Sequence, residues 1–100
     1  MSEIDRTISE STGMPFCTRT EEGIGGGCIN QASKLSGVDG REFFVKKNQL
    51  SFLPFFQAEA RALQEMKDTQ TIRVPTVIAH GTAQAQAYLV LEYIEEGSAG

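Results

Sequence analysis

Arg41-Glu42-Phe43-Phe44-Val45-Lys46-Lys47 is the stretch on which the fold turns. Aromatic and β-branched residues fill its centre, as a pleated, half-buried strand requires. Ser36-Gly37-Val38-Asp39-Gly40, just before it, is dense in turn formers. The two together predict a hairpin. Downstream, Pro54 suits the first turn of a helix, and Phe55 to Lys67 holds no Gly or Pro and many good helix formers. A strand running into a long helix predicts an α+β layer in which the helix packs across a sheet.

Reading outward toward the amino terminus, Ile4 and Ile8 stand four apart in a polar stretch that ends at Gly13. That spacing predicts a short amphipathic helix with a glycine stop. Two weak strand candidates between Cys17 and Leu35 flank Glu22-Gly23-Ile24-Gly25-Gly26-Gly27, a run expected as a loop because no regular element tolerates it. Toward the carboxyl end, Val74-Pro75-Thr76-Val77-Ile78-Ala79 predicts a strand entered through a proline and closed by His80-Gly81. Ala87-Tyr88-Leu89-Val90-Leu91-Glu92-Tyr93-Ile94 is almost continuously apolar, the pattern of a strand buried on both faces. Glu95 to Gly100 reads as a linker, and no internal repeat is present. The expected fold is α+β: about five antiparallel strands, one long packed helix and a short amino-terminal helix.

The composition bounds the partners. In 100 residues, 40% are apolar and 22% charged, which suits one modest globular domain. A formal net charge of −4 argues against a nucleic-acid or membrane-surface binder, both of which usually need a basic face. The acidic start, Met1 to Asp5, lacks the flank and apolar run of a secretory signal. Cys17 and Cys28 are too few for a disulfide scaffold and form no zinc-ligand pair, so a reducing cytoplasm is the expected setting. These features leave a small molecule as the expected partner.

Three features could carry chemistry. The glycine run allows close backbone approach to phosphate oxygens, although a plain hairpin uses such runs equally well. No Gly-Lys-Ser/Thr follows it, which excludes a Walker A loop. Gly23 and Gly25 fit the start of the protein-kinase loop pattern, but Cys28 holds the third glycine position. Lys46 ends an apolar strand, with Phe44 on its face and Lys47 on the other. A lone lysine there is ordinarily solvated. Glu59 changes the balance, because a helical projection puts Phe55, Phe56, Ala62, Leu63 and Met66 on its side. No cation stands three or four residues away, so Glu59 needs a tertiary partner or a place at the stripe's edge. Lys46 is the obvious partner. His80 is expected in a turn without chemistry, and Cys17 in the core.

Gly25-Gly26-Gly27-Cys28-Ile29-Asn30, Phe44-Val45-Lys46, Phe56-Gln57-Ala58-Glu59, Ile72-Arg73-Val74-Pro75 and Tyr88-Leu89-Val90-Leu91-Glu92 occur in the order of a kinase-like small lobe. Together they resemble the fructosamine (ketosamine) kinases, which share the fold of aminoglycoside phosphotransferases. The resemblance runs from the first helix to the end of the chain. It implies that residues 1–100 are an amino-terminal ATP-binding lobe. Lys46 would contact the α- and β-phosphates, Glu59 would orient Lys46, and Gly25, Gly26 and Gly27 would cover the phosphates. Leu91 would back the adenine, and Glu92, Tyr93 and Ile94 would form the hinge. Cys28 would stand in the phosphate loop, where backbone N–H groups favour a thiolate; a redox role and plain packing both stay open.

The family phosphorylates a sugar hydroxyl of a glycated amine, a step of protein deglycation. Its catalytic aspartate, the adjacent asparagine and the metal-binding aspartate come from a second lobe absent from this sequence, so Mg²⁺ would be held there and the chain alone is expected to be inactive. An aminoglycoside- or choline-type small-molecule kinase is a related reading. A truncated, non-catalytic module that binds nucleotide or a protein is the rival from another class. With Ile24, Phe44, Leu91 and Ile94 expected on an uncovered underside, the chain is also expected to self-associate or to be only marginally stable.

Overall fold

The computed structural model describes residues 3–23, 31–69 and 74–93. In chain order these form helix α1 (Glu3–Thr12), strands β1 (Thr18–Gly23), β2 (Gln31–Gly37) and β3 (Glu42–Gln49), helix α2 (Leu53–Thr69), and strands β4 (Val77–Ala83) and β5 (Gln86–Glu92). A 3₁₀ turn, Leu50–Phe52, leads into α2, where Pro54 falls in the first turn and needs no N–H partner. The strands make one five-stranded sheet in the order β1-β2-β3-β5-β4, with every neighbouring pair antiparallel.

Side-chain alternation divides the sheet into two packed faces. On one, Leu35, Phe43, Val45, Tyr88 and Val90 meet Ile8 of α1 and Phe16. On the other, Ala87, Leu89 and Leu91 meet Phe56 and Ala60 of α2. With a helix on each side, β5 is buried from Ala87 through Leu91, which is why its sequence is apolar without alternation.

The α1 face is closed by specific polar ties. Gly13 adopts φ +76° and its N–H reaches the Ser9 carbonyl at 3.0 Å, stopping the helix in the left-handed conformation that glycine takes without strain. Asp5 is buried and accepts from the Thr18 backbone N–H at 3.0 Å and from its hydroxyl at 2.5 Å, which fixes α1 to the start of β1. Arg41 joins the β2–β3 turn to the loop after α1. Its guanidinium donates to Asp39 at 2.6 Å and to the Pro15 carbonyl at 2.7 Å, and lies over the Phe16 ring.

Several expectations need correction. β4 does not close at His80-Gly81: it continues to Ala83, with His80 opposite Leu89 and Gly81 opposite Tyr88. A Cβ at Gly81 would stand 3.1 Å from the Tyr88 hydroxyl, so this glycine makes room for a neighbouring ring rather than for a turn. The reversal falls instead at Gln84 and Ala85, both at positive φ, a two-residue hairpin loop built without the Asn-Gly signature of such turns. Cys17 is exposed, not in the core. On α2, Phe55 and Ala62 face solvent while Phe56 and Ala60 are buried, so the helix is rotated from the projected stripe. Leu91 is enclosed beneath α2 rather than open on an underside, Phe44 is half-buried, and Ile24 and Ile94 lie outside the described residues.

Candidate functional site: a lysine–glutamate pair at the end of an uncovered strip

Lys46 shares its face of β3 with Phe44, and both look toward the α2 side of the sheet. Its ammonium lies 2.5 Å from a Glu59 carboxylate oxygen, with the two side chains 24% and 34% exposed. Glu59 sits at the margin of α2's packed stripe, held in register by Phe56 and Ala60 on the buried side. Both sequence alternatives for Glu59 therefore apply: it has a tertiary cation and it stands at an edge. Lys47, one residue on, leans to the α1 face, where its ammonium is 3.9 Å from Glu21.

What distinguishes this pair from the Lys47–Glu21 pair is the bare sheet beside it. α2 lies over β4 and β5, so the β2–β3 part of the same face keeps Ala32, Lys34 and Phe44 only half-buried. The register orders this strip. Lys46 faces Ala32 and Leu89; Phe44 faces Lys34 and Leu91; Glu42 comes next on the same face. Lys46 and Glu42 are four residue steps apart along the strand, about 13 Å at the usual strand rise. At the far end Lys34 reaches Glu42 at 3.0 Å and its ammonium stands 4.7 Å from the centre of the Tyr93 ring. The hydrogen bond to Glu42 is the main cause raising the Lys34 pKa above its ordinary value.

The other expected site residues divide in two. Leu91 forms the buried floor opposite Phe44, and the exposed Glu92 is tied through its N–H to the Thr76 carbonyl at 2.8 Å. Tyr93 is half-buried at the strip's end. Gly25, Gly26, Gly27, Cys28 and Ile94 lie outside the described residues. Lys34 and Glu42 escaped sequence reading, although the hairpin turn at residues 36–40 was the signal that would have set their register. Among the described residues no group of three His, Cys, Asp or Glu side chains gathers to hold a metal, and no helix is long and apolar enough to cross a membrane.

Chemically, the arrangement offers a lysine held by a carboxylate at one end of a shallow strip with an apolar centre. It can hold an anion beside an apolar planar group. Charge-assisted pairing keeps the ammonium extended toward that position without a search through rotamers. A separate hollow of about 290 Å³ opens on the opposite face, between the first turn of α1 and Glu21, Lys47, Gln84 and Tyr88. Neither Lys46 nor Glu59 lines it.

Comparison with known proteins shows the family. The family model described as fructosamine kinase matches residues 1–100. A probable ketoamine kinase of Synechocystis sp. is 48% identical over 95 residues, covering 94% of this chain and 32% of that protein. A protein-ribulosamine 3-kinase of Arabidopsis thaliana, named as chloroplastic, is 40% identical over 75 residues, covering 74% of this chain and 23% of its own length. Among solved structures, a Haemophilus somnus protein solved as a candidate fructosamine-3-kinase superposes with a TM-score of 0.87 at 27% identity, over 95% of this chain and 32% of that one. The chain thus spans about a third, or less, of the length of these relatives.

Proposed function

This chain belongs to the fructosamine kinase family, and on that premise we propose that it is the ATP-holding lobe of a ketosamine kinase. One observation carries the reading: the Lys46–Glu59 pair ends a strip whose centre is Phe44 over Leu91 and whose far end is the segment leaving β5. An adenine needs an apolar slot with backbone polar groups at its rim, and a triphosphate needs a fixed cation. The order of the strip, a fixed cation, then an apolar centre, then the exit of β5, supports this reading. Lys46 holds phosphate oxygens, and Glu59 keeps that ammonium extended. In this reading the Gly25 to Gly27 backbone, with Cys28, would cover the phosphates. Leu91 backs the adenine, and backbone groups from Glu92 to Ile94 meet its edge.

ATP supplies the transferable phosphoryl group, and the acceptor is a sugar hydroxyl of a glycated amine, as the ketoamine and ribulosamine names of the relatives suggest. Mg²⁺ and the general base belong to groups of a second lobe that this sequence does not include, and the setting is cytoplasmic. Positioning without a base or metal leaves the transition state unsupported, so residues 1–100 alone bind without turning over. Calorimetry with ATP and a phosphate-transfer assay on a glycated lysine test this together. Binding without transfer is the expected result. Transfer above the buffer rate would overturn the division of labour between lobes. Absence of ATP binding would leave a non-catalytic, partner-binding module.

A further inference from the structure

The β3–β5 ladder ends at the pair Phe43 and Glu92, so among the described residues Tyr93 pairs with no strand. Two lysines nevertheless hold the chain at this exit. On the β4 side, Glu92 donates its N–H to the Thr76 carbonyl at 2.8 Å, while the Thr76 hydroxyl contacts the Lys67 ammonium near the end of α2. On the β2–β3 side the ladder stops at Glu92, and among the described residues no backbone hydrogen bond reaches Tyr93. Lys34 does that work through its side chain: its ammonium bonds Glu42 at 3.0 Å and stands 4.7 Å from the centre of the Tyr93 ring.

We infer that Lys34 is a positioning residue for the purine end of the nucleotide, clamping Tyr93 to the β2–β3 hairpin so that the backbone after Leu91 is fixed where the adenine edge meets it. The inference rests on the nucleotide reading above. A plain surface ion pair with Glu42 would need no ring, and a phosphate contact would sit at the Lys46 end. Lys34 instead faces Phe44, one register step from Glu42, at the end of the strip away from Lys46. Cation–π attraction gives the clamp its direction, since the ammonium prefers the ring face to the open rim. Glu42 holds the other side of the same ammonium, and Glu22, opposite Lys34 on β1, adds negative charge that favours its protonated form.

Two ligands separate the ends of the strip: ATP, and inorganic tripolyphosphate, which has no purine. Lys34→Met is expected to weaken ATP binding about five- to tenfold, the scale of one lost cation–π contact, and to leave tripolyphosphate binding unchanged. Lys34→Arg should restore most of the ATP affinity. Tyr93→Leu should reproduce the Met variant, Tyr93→Phe should resemble the parent, and the Met–Leu double variant should lose no more than either single change. Circular-dichroism melts of each variant check that the fold is kept. Equal loss of both ligands in Lys34→Met would make Lys34 a phosphate contact and overturn the proposal, as would no loss of ATP binding. A parent chain that binds tripolyphosphate but not ATP would remove the purine end while leaving Lys46 as an anion site. A parent that binds neither would overturn the nucleotide reading and the clamp with it.

Discussion

The two faces of the sheet use the same strands for opposite purposes. On the α1 face, Phe16 is 1% exposed, meets Phe43 edge-on at 5.0 Å, and is roofed by the Arg41 guanidinium. On the α2 face the helix stops short, so Phe44, Lys46 and Lys34 stay half-buried beside a fully enclosed Leu89. One face is given over to cohesion; the other stays part-open, and it is there that the proposed nucleotide would lie. Lys46 and Lys47 show the difference within a single peptide step: one is held by a helix carboxylate at the open strip, the other looks across to Glu21.

If that division is right, the largest stability losses belong to the closed face. Phe16→Ala is expected to cost about 3–5 kcal/mol, because a fully buried ring is removed from a packed site, and urea unfolding measures it. A smaller loss should follow Gly37→Ala. A Cβ there would fall 2.4 Å from the Phe16 ring, so the ring or strand must shift, at a cost of about 1–3 kcal/mol. Combining it with Phe16→Leu should be less than additive, since the smaller side chain relieves the collision. Equal tolerance of both changes would break the claim that this face is tightly closed.

On the open face the order reverses: function falls while stability barely moves. Lys46→Met should change unfolding free energy by no more than about 1 kcal/mol, the usual worth of a part-exposed ion pair, yet weaken ATP binding by roughly tenfold or more through loss of a charge-assisted phosphate contact. Lys47→Met, on the α1 face and away from the strip, should leave ATP binding intact. Parallel titrations of the two variants decide the matter, and similar losses in both would erase the distinction between faces.

Much of this contrast was legible in the sequence, and the gaps have physical causes. Alternation along β3 is enough to separate Lys46 from Lys47, and a carboxylate beside an apolar stripe is enough to make Glu59 seek a tertiary cation. The phase of α2 was not legible. Phe55 and Phe56 are equally apolar, and packing against Ala87, Leu89 and Leu91 takes Phe56 inward, leaving Phe55 in solvent against Phe52. The β4–β5 loop was missed because Gln84 and Ala85 carry no turn signature, while Gly81 looks like one yet serves the Tyr88 ring. Arg41's ties to the loop after α1 are contacts between segments far apart in sequence, for which periodicity gives no signal.

The smallest expected effect lies at that same Arg41 tie. Asp39 is held below its ordinary carboxyl pKa of 3.8, first by the Arg41 backbone N–H and then by its side chain. The unfolded chain therefore binds more protons than the folded one below that value, and stability rises with pH there. The contribution is full above pH 3.8 and is lost as pH falls through the lower folded value. Asp39→Asn should flatten this part of the acid limb in melts taken below pH 4, and an unchanged slope would show that the tie does not help close the α1 face.

Tyr88 and Tyr93 stand on opposite faces, and the chain contains no tryptophan. The molecule thus carries one tyrosine per face: a buried phenol on the α1 side, its hydroxyl 3.1 Å from that of Thr7, and another at the open strip beneath a lysine. In single-tyrosine variants, ultraviolet emission would follow each face separately during denaturation or ligand addition. A change confined to Tyr93 emission would be an optical signature of events on the open side alone.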